Sequence, residues 1–243
     1  MPLQEVADYP LKDGRPTSKG IDRYVEEKAE ELILTFQEFV GDTLHNANIY
    51  TEDLSKNLNQ HPMELGNYYP NEIFINNAGF FIAYELDALS RKSRDTIVNS
   101  NQFVKAAVFH ELMHHYIYQV SIEMSRVDQV PVDRAYQSFF RIYSDRNDPG
   151  PRFIEEGVCE YATLRLKEII SRNRPYIPKK PEDLDRPDKQ YDIFYRYSAY
   201  SLGEFLDTAG IKKGIKILLH NPPPSVEEIL EPDLYFARLA GMD

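Results

Sequence analysis

The amino-acid sequence predicts an α+β fold, in which a small sheet lies over one central helix and the C-terminal part is mostly helical. Residues 71–76 (NEIFIN) combine β-branched and aromatic side chains in the pattern of a strand. Residues 103–120 (FVKAAVFHELMHHYIYQV) are apolar almost all round, which is typical of a buried helix. We expect a single domain over residues 1–243, in which 1–70 is an N-terminal part of mostly unassigned structure and 71–243 is the core.

The elements around these two segments follow from helical spacing and from glycines. Apolar residues recur at helical spacing from Ile21 to Val40, and Gly41 is expected to end that helix. Residues 42–70 are polar and rich in turn-forming residues, so no element is assigned there. Phe80–Tyr84 (FFIAY) predicts either a second strand or the first turn of a short helix.

The C-terminal half is predicted to be helical around one proline-rich segment. Four prolines indicate that residues 172–190 form a loop or a lid. Ser225 is expected to cap the last helical stretch, and Glu228 would complete a capping box. The other predicted helices cover about Pro151–Ser171, Tyr191–Ala209 and residues 211–219.

Composition and charge exclude several classes of protein. The formal net charge is −11, so neither a general nucleic-acid binder nor a protein that docks on anionic membranes is expected. The single cysteine excludes an internal disulfide. The N-terminal residues lack the apolar core of a secretory signal, and no run is long and apolar enough to span a bilayer. We therefore expect a cytoplasmic protein, whose oligomeric state the sequence leaves open.

Three of the six histidines lie within residues 110–115 (HELMHH). His110 and His114 are four residues apart, which places both rings on one face of a helix. Zinc accepts two imidazole nitrogens at this spacing. Glu111 points to the side, where it can reach a water on the metal rather than the metal itself. The HExxH pattern therefore predicts a zinc ion held by two histidines, with Glu111 as general base.

The same residues also fit an alternative in which the histidines are ordinary members of the core. The buried helix argues against that alternative, because an imidazole or a carboxylate without a partner is costly in the interior. His115 points away from the ligand face and is expected to make a structural hydrogen bond. Cys159 is expected to be a small buried apolar group.

A catalytic zinc ion needs a third protein ligand. No downstream histidine is well placed for that role, because His220 lies beyond three predicted helices. Residues 153–161 (FIEEGVCEY) offer carboxylates on the next predicted helix. HELMH followed by EEGVCEY resembles the gluzincin metallopeptidases, and Glu156-Gly157-x-x-x-Tyr161 is similar to the corresponding helix of the M1-type aminopeptidases. The resemblance implies a zincin-like fold, a zinc cofactor and Glu156 as the third ligand.

The resemblance also implies roles for the neighbours of Glu156. Glu160 lies four residues further on and would steady a ligating histidine through its second ring nitrogen. Glu155 has no comparable support and is the weaker candidate for the ligand. Gly157 has a rationale of its own, because a residue without a side chain would let the helices of the two motifs approach closely.

Two further features of the family have counterparts here. A tyrosine from the helix after the proline-rich segment would stabilise the developing oxyanion, and Tyr197 is favoured over Tyr195 and Tyr200. Residues 71–76 resemble the family's substrate-binding edge strand, to which an extended peptide could add.

The predicted function is zinc-dependent hydrolysis of peptide bonds in a peptide or protein substrate, in which Glu111 takes the proton of a water that zinc has acidified. The first alternative is a non-catalytic zinc-binding domain that serves interaction or regulation. The second is a regulatory protease of the kind that also carries HExxH, although no helix-turn-helix is evident. The sequence leaves endopeptidase and exopeptidase activity open.

Overall fold

The computed structural model describes residues 18–54, 65–77, 100–129, 149–166, 180–186, 189–190, 192–223 and 225–241. The predictions for Phe80–Tyr84 and for most of the lid segment 172–190 lie outside these residues. The chain divides into two compact units, residues 1–115 and residues 116–243. The prediction of a single domain concerns how these units combine, and it stays a prediction.

The first unit begins with helix α1, Ser18–Val40. Its apolar residues recur at helical spacing, so one side is buried, including Leu32 and Phe36. The helix ends where predicted, at Gly41, whose φ of 68° lies in the left-handed region that favours glycine. The Gly41 amide donates to the Gln37 carbonyl and closes the last turn. The predicted helix is therefore confirmed.

A three-stranded mixed sheet follows, with strands β1 (Asn48–Glu52), β2 (Gly66–Tyr69) and β3 (Glu72–Asn76) in the order β1-β3-β2. Strand β3 pairs in parallel with β1 and antiparallel with β2. Ile73 and Ile75 of β3 are fully buried on the inner face of the sheet. In the antiparallel register Gly66 pairs with Ile75, and Tyr68 pairs with Ile73, so both β2 residues share that face.

Strand β3 confirms the predicted strand over residues 71–76, but the prediction that it is an edge strand is wrong. Within the described strands, β3 has a neighbour on each side. Residues 42–70, to which no element was assigned, supply both neighbours. Each neighbour has only four or five residues and many polar side chains, so its strand character is weak in the sequence.

Helix α2, Ser100–Asp128, contains the HELMHH segment and runs from the first unit into the second. It is buried nearly all round over the predicted range, as Val108, Leu112 and Met113 illustrate with no exposed surface. The helix continues eight residues beyond the predicted end at Val120, because no glycine or proline interrupts it. On that extension Val127 is 79% exposed, so the last turns have a solvated side.

The second unit is mostly helical, as predicted. Gly210, with a φ of 82°, ends the helix Ser198–Ala209 where expected. Ser225 caps the helix Val226–Leu230 by accepting from the Glu228 amide, but the Glu228 carboxylate binds Arg238 instead of completing the capping box. The described helices are α3 (Pro149–Leu166), a 3-10 helix (Pro181–Asp183), a π-helical segment (Asp192–Tyr197), α4 (Ser198–Ala209), α5 (Ile211–His220), α6 (Val226–Leu230) and α7 (Pro232–Ala240).

Gly157 allows α3 to approach α4 closely, whereas its predicted role between α3 and the helix of HELMHH stays a prediction. A Cβ atom at this position of α3 would lie 2.6 Å from Cβ of Ser198 and 2.8 Å from Cδ1 of Leu202, both on α4. No side chain larger than hydrogen fits there without movement of α4.

Within the described part of the chain, we find no helix that is both long and apolar enough to cross a membrane.

Candidate metal centre

Helix α2 brings His110 and His114 together on one face, because residues four apart lie one turn apart. Their Nε2 atoms are 3.2 Å apart, and their ring centroids are 5.0 Å apart. His114 is buried and His110 is half-buried. The pair therefore places two ring nitrogens next to each other on one side of a buried helix.

The distance between the two nitrogens fits a zinc ion. Two nitrogens bound tetrahedrally at about 2.0–2.1 Å from one zinc ion are about 3.3 Å apart. The observed 3.2 Å is within about 0.1 Å of that separation, so the spacing of the two nitrogens suits a zinc ion. The same distance also allows one neutral ring to donate an N–H hydrogen bond to the other, and a third ligand distinguishes the two arrangements.

A third donor of a suitable type is present. Among the described residues, His110, His114 and Cys159 form a group that could hold a metal ion, because one ligand atom from each lies within 4.8 Å of the other two. Cys159, on α3, has no exposed surface. Two imidazoles and a thiolate are all ordinary zinc ligands, although the identity of the ion is not fixed by them alone.

Cys159 was expected to be a small buried apolar group, and a ligand role for it was not predicted. The expectation that it is buried is confirmed. Its sequence position held a usable signal, because it follows Glu156 by three residues and so lies on nearly the same face of α3 as the carboxylate favoured for the ligand.

The predicted carboxylate ligands lie on the same helix. Glu156 is 2% exposed, Glu155 is 9% exposed, and Glu160 is half-buried. A carboxylate at such depth needs a hydrogen bond, an ion pair or a metal. Glu156 is not a member of the group of close donors, so its role as third ligand stays a prediction.

Glu111, the predicted general base, lies against strand β2. Its side chain is buried, and a Cβ atom at Gly66 would lie 2.7 Å from both Cγ and Oε1 of Glu111. The carboxylate therefore occupies the space that a side chain at Gly66 would need. Glu111 comes from helix α2, and Gly66 of strand β2 limits where its carboxylate can lie.

Tyr68, on the same face of β2, contacts the histidine segment. Its ring lies parallel to that of His114, with centroids 6.2 Å apart, and meets His115 edge-on at 5.8 Å. The hydroxyl lies 3.4 Å from Nδ1 of His115, and Nε2 of His115 lies 2.8 Å from the carbonyl oxygen of His45. Because a carbonyl only accepts, Nε2 carries the proton and Nδ1 accepts from Tyr68.

These contacts confirm the structural role predicted for His115. Burial is the main cause that lowers the pKa of its ring, and the hydrogen bond to the His45 carbonyl opposes that shift. His115 therefore stays neutral and ties α2 to the segment before β1.

The tyrosines and the distant histidine lie in the second unit. The Tyr197 hydroxyl donates to the Leu230 carbonyl at 2.9 Å, so it would have to leave that carbonyl to serve an oxyanion. Its role stays a prediction, as do those of Tyr195 and Tyr200, which are half-buried. His220 is exposed at the end of α5.

No protein-family model matches the chain, and comparisons with curated proteins and with solved structures gave no match either. The class of protein is therefore inferred from its fold and its candidate site alone. The chain is an α+β protein with a mixed three-stranded sheet, a mostly helical C-terminal part and a His-x3-His pair that, with a buried cysteine, could hold a metal ion.

Proposed function

We propose that this protein is a zinc-dependent peptidase in which His110 and His114 hold the metal and Glu111 is the general base. The observation that carries the proposal is the 3.2 Å distance between the two Nε2 atoms, one helical turn apart, next to a buried glutamate. A hydrogen-bonded histidine pair alone gives no reason for a carboxylate beside it, whereas a hydrolytic metal centre does.

Each residue has a definite task in the proposed reaction. Zinc, when bound, acidifies a water and polarises the substrate carbonyl. Glu111 accepts the proton of the attacking water and returns it to the leaving amine. Tyr68 holds the ring of His114 from one side, because its ring lies parallel to that of the histidine. The buried position of Glu111 limits the motion of its carboxylate and so supports its use as a base.

We propose Glu156 as the third zinc ligand, on the resemblance of EEGVCEY to the gluzincin helix. Cys159 is the competing ligand, on the distances between donor atoms. Either ligand, bound alone with the two histidines, would leave the fourth zinc position for water, as a catalytic site requires.

The substrate is proposed to be an extended peptide. Strand addition needs an edge strand, and within the described strands β2 borders β3 alone. The inner face of β2 carries Gly66, which touches Glu111, so a peptide added there would pass near the proposed base.

The first test is metal content by mass spectrometry after reconstitution with zinc at neutral pH. One zinc per chain is expected in the parent, and none in His114→Ala. Glu156→Gln and Cys159→Ser separate the two third-ligand assignments, because only loss of the true ligand weakens zinc binding strongly. A parent protein without zinc would refute the proposal.

The second test is cleavage of a peptide library by the zinc-loaded protein. Glu111→Gln is the matched control, because it keeps the size of the side chain and removes the base. Cleavage by the parent and its loss in Glu111→Gln, at equal zinc content, are the expected results. Equal cleavage by both proteins would remove Glu111 from the mechanism.

One observation favours a non-catalytic zinc site as the second candidate. A thiolate and two imidazoles also occur in structural zinc sites, which are closed by a fourth protein ligand. In that case zinc binds, Cys159→Ser loses it, and neither the parent nor Glu111→Gln cleaves peptides.

A further inference from the structure

Gly66, the first residue of β2, does not have the left-handed backbone conformation that would require a glycine. The left-handed glycines among the described residues are Gly41 and Gly210, and Gly66 is not one of them. It instead lies in an antiparallel strand, paired with Ile75, where a glycine weakens the strand because it has no side chain to pack. The reason for the glycine therefore lies in the space around it.

That space is occupied by Glu111. A Cβ atom at Gly66 would lie 2.7 Å from Cγ, 2.7 Å from Oε1 and 2.9 Å from Cδ of Glu111. These distances are shorter than a Cβ atom keeps from other side chains in proteins. All three of the closest atoms belong to one side chain, so a methyl group at residue 66 would act on Glu111 before anything else.

We propose that Gly66 is a positioning residue for Glu111, because its missing side chain sets where the Glu111 carboxylate lies. The catalytic part of this inference rests on the proposed function, whereas the positioning itself does not. Gly66 has no side chain that could take part in the chemistry, so its proposed effect on catalysis is exerted through Glu111.

Strand β2 cannot relieve the contact simply by moving away. Two residues along the same face, Tyr68 stacks on His114, contacts His115 edge-on and shares a hydrogen bond with it. Ladder hydrogen bonds to β3 hold the other side of the strand. Because these contacts hold strand β2 in place and α2 is buried, a methyl group at residue 66 would displace the Glu111 carboxylate.

A double-mutant cycle on the metal-free protein tests the positioning. Gly66→Ala, Glu111→Ala and the double variant are compared with the parent by urea unfolding and by unfolding temperature. Gly66→Ala alone should lower both midpoints. In the Glu111→Ala background the same change should lower neither, because the methyl group enters vacated space.

Glu111→Gln is the matched control for this cycle. It keeps the volume of the side chain and removes its charge, so Gly66→Ala must still lower the midpoints in that background. Equal losses from Gly66→Ala in the parent and in Glu111→Ala would overturn the proposal. If Gly66→Ala alone fails to fold, the double variant decides: folding supports the proposal, and failure to fold overturns it.

The catalytic consequence is measured on the zinc-loaded protein at a temperature where every variant is folded. A displacement of about 1 Å in a catalytic group can lower the rate about 100-fold, so Gly66→Ala should lower kcat by about that factor, with zinc content and KM near parental values. Parental kcat in Gly66→Ala would overturn the positioning role. A parent that cleaves no peptide would instead count against the proposed function, and the unfolding cycle would still decide the contact.

Discussion

Zinc is expected to raise the unfolding temperature of the metal-free protein, because the pair of histidines is already arranged to bind it. The two Nε2 atoms are 3.2 Å apart, and a tetrahedral zinc site needs about 3.3 Å. The distance between the two nitrogens therefore has to change by only about 0.1 Å on binding. A ligand that binds only the folded state stabilises that state by mass action.

The size of the effect follows from the ratio of free zinc to the dissociation constant. At a free zinc concentration 100 times the dissociation constant, the stabilisation is about 2.7 kcal/mol. In a chain of 243 residues, each kcal/mol shifts the unfolding temperature by roughly 2–4 °C. The expected rise is therefore about 5–11 °C, and it should grow with the logarithm of the zinc concentration.

The assay is differential scanning calorimetry with zinc at several buffered concentrations, and with a chelator as the zero point. His114→Ala is the control, because it removes one nitrogen and leaves the rest of α2 intact. The parent should shift and the variant should not. A parent that does not respond to zinc, or a variant that responds equally, would refute the assignment of the metal to these histidines.

Three further changes test the packing and electrostatics of the second unit. Gly157→Ala should destabilise the protein by about 1–3 kcal/mol, because its methyl group would overlap Ser198, and Ser198→Gly in the same chain should recover part of that loss by urea unfolding. Burial, with the hydrogen bond to Asp207, raises the pKa of Tyr161 to about 12, so the tyrosine stabilises the fold below about pH 10 and loses that contribution as the pH rises through 12. Tyr161→Phe should therefore weaken the fall in unfolding midpoint between pH 9 and pH 12, and an unchanged fall would contradict the assignment. Ser225→Ala should cost about 1 kcal/mol by removal of a helix cap, which the urea midpoint measures, and an unaltered midpoint would mean that the cap contributes nothing.

The long helices were predictable because they carry their own signals. In α1 the apolar residues recur at helical spacing and Gly41 supplies the left-handed residue that ends it. In α2 the apolar surface extends all round, which only a buried helix tolerates. These signals are local, so neighbours in sequence are enough to recognise the element.

The short strands were not predictable in the same way. Strand β1 alternates between exposed and half-buried residues, and β2 has four residues, of which none is fully buried. Their stability comes from pairing with β3, which is a property of the register and not of either strand alone. The mistaken edge position of β3 has another cause: it was taken from the resemblance to the family's edge strand, whereas the observed order is β1-β3-β2.

The residues of the candidate site also differ in whether local sequence signals could predict them. His110, Glu111 and His114 were predictable because one helix holds all three, and helical spacing fixes their relative positions. The contact between Gly66 and Glu111 joins residues 45 positions apart and depends on the register of β2, so no spacing rule reaches it.

The choice between Glu156 and Cys159 could not be made from spacing, because the two residues are three apart on one helix and both suit zinc. Charge does not separate them either, since a carboxylate and a thiolate each bring one negative charge to the site. The chemical softness of the ligand atom does separate them, because a thiolate favours zinc over manganese or magnesium, whereas a carboxylate accepts all three. If a metal binds, the ion that the proposed site selects would therefore depend on whether Glu156 or Cys159 completes it, and the paired variants Glu156→Gln and Cys159→Ser test the two assignments independently of any substrate.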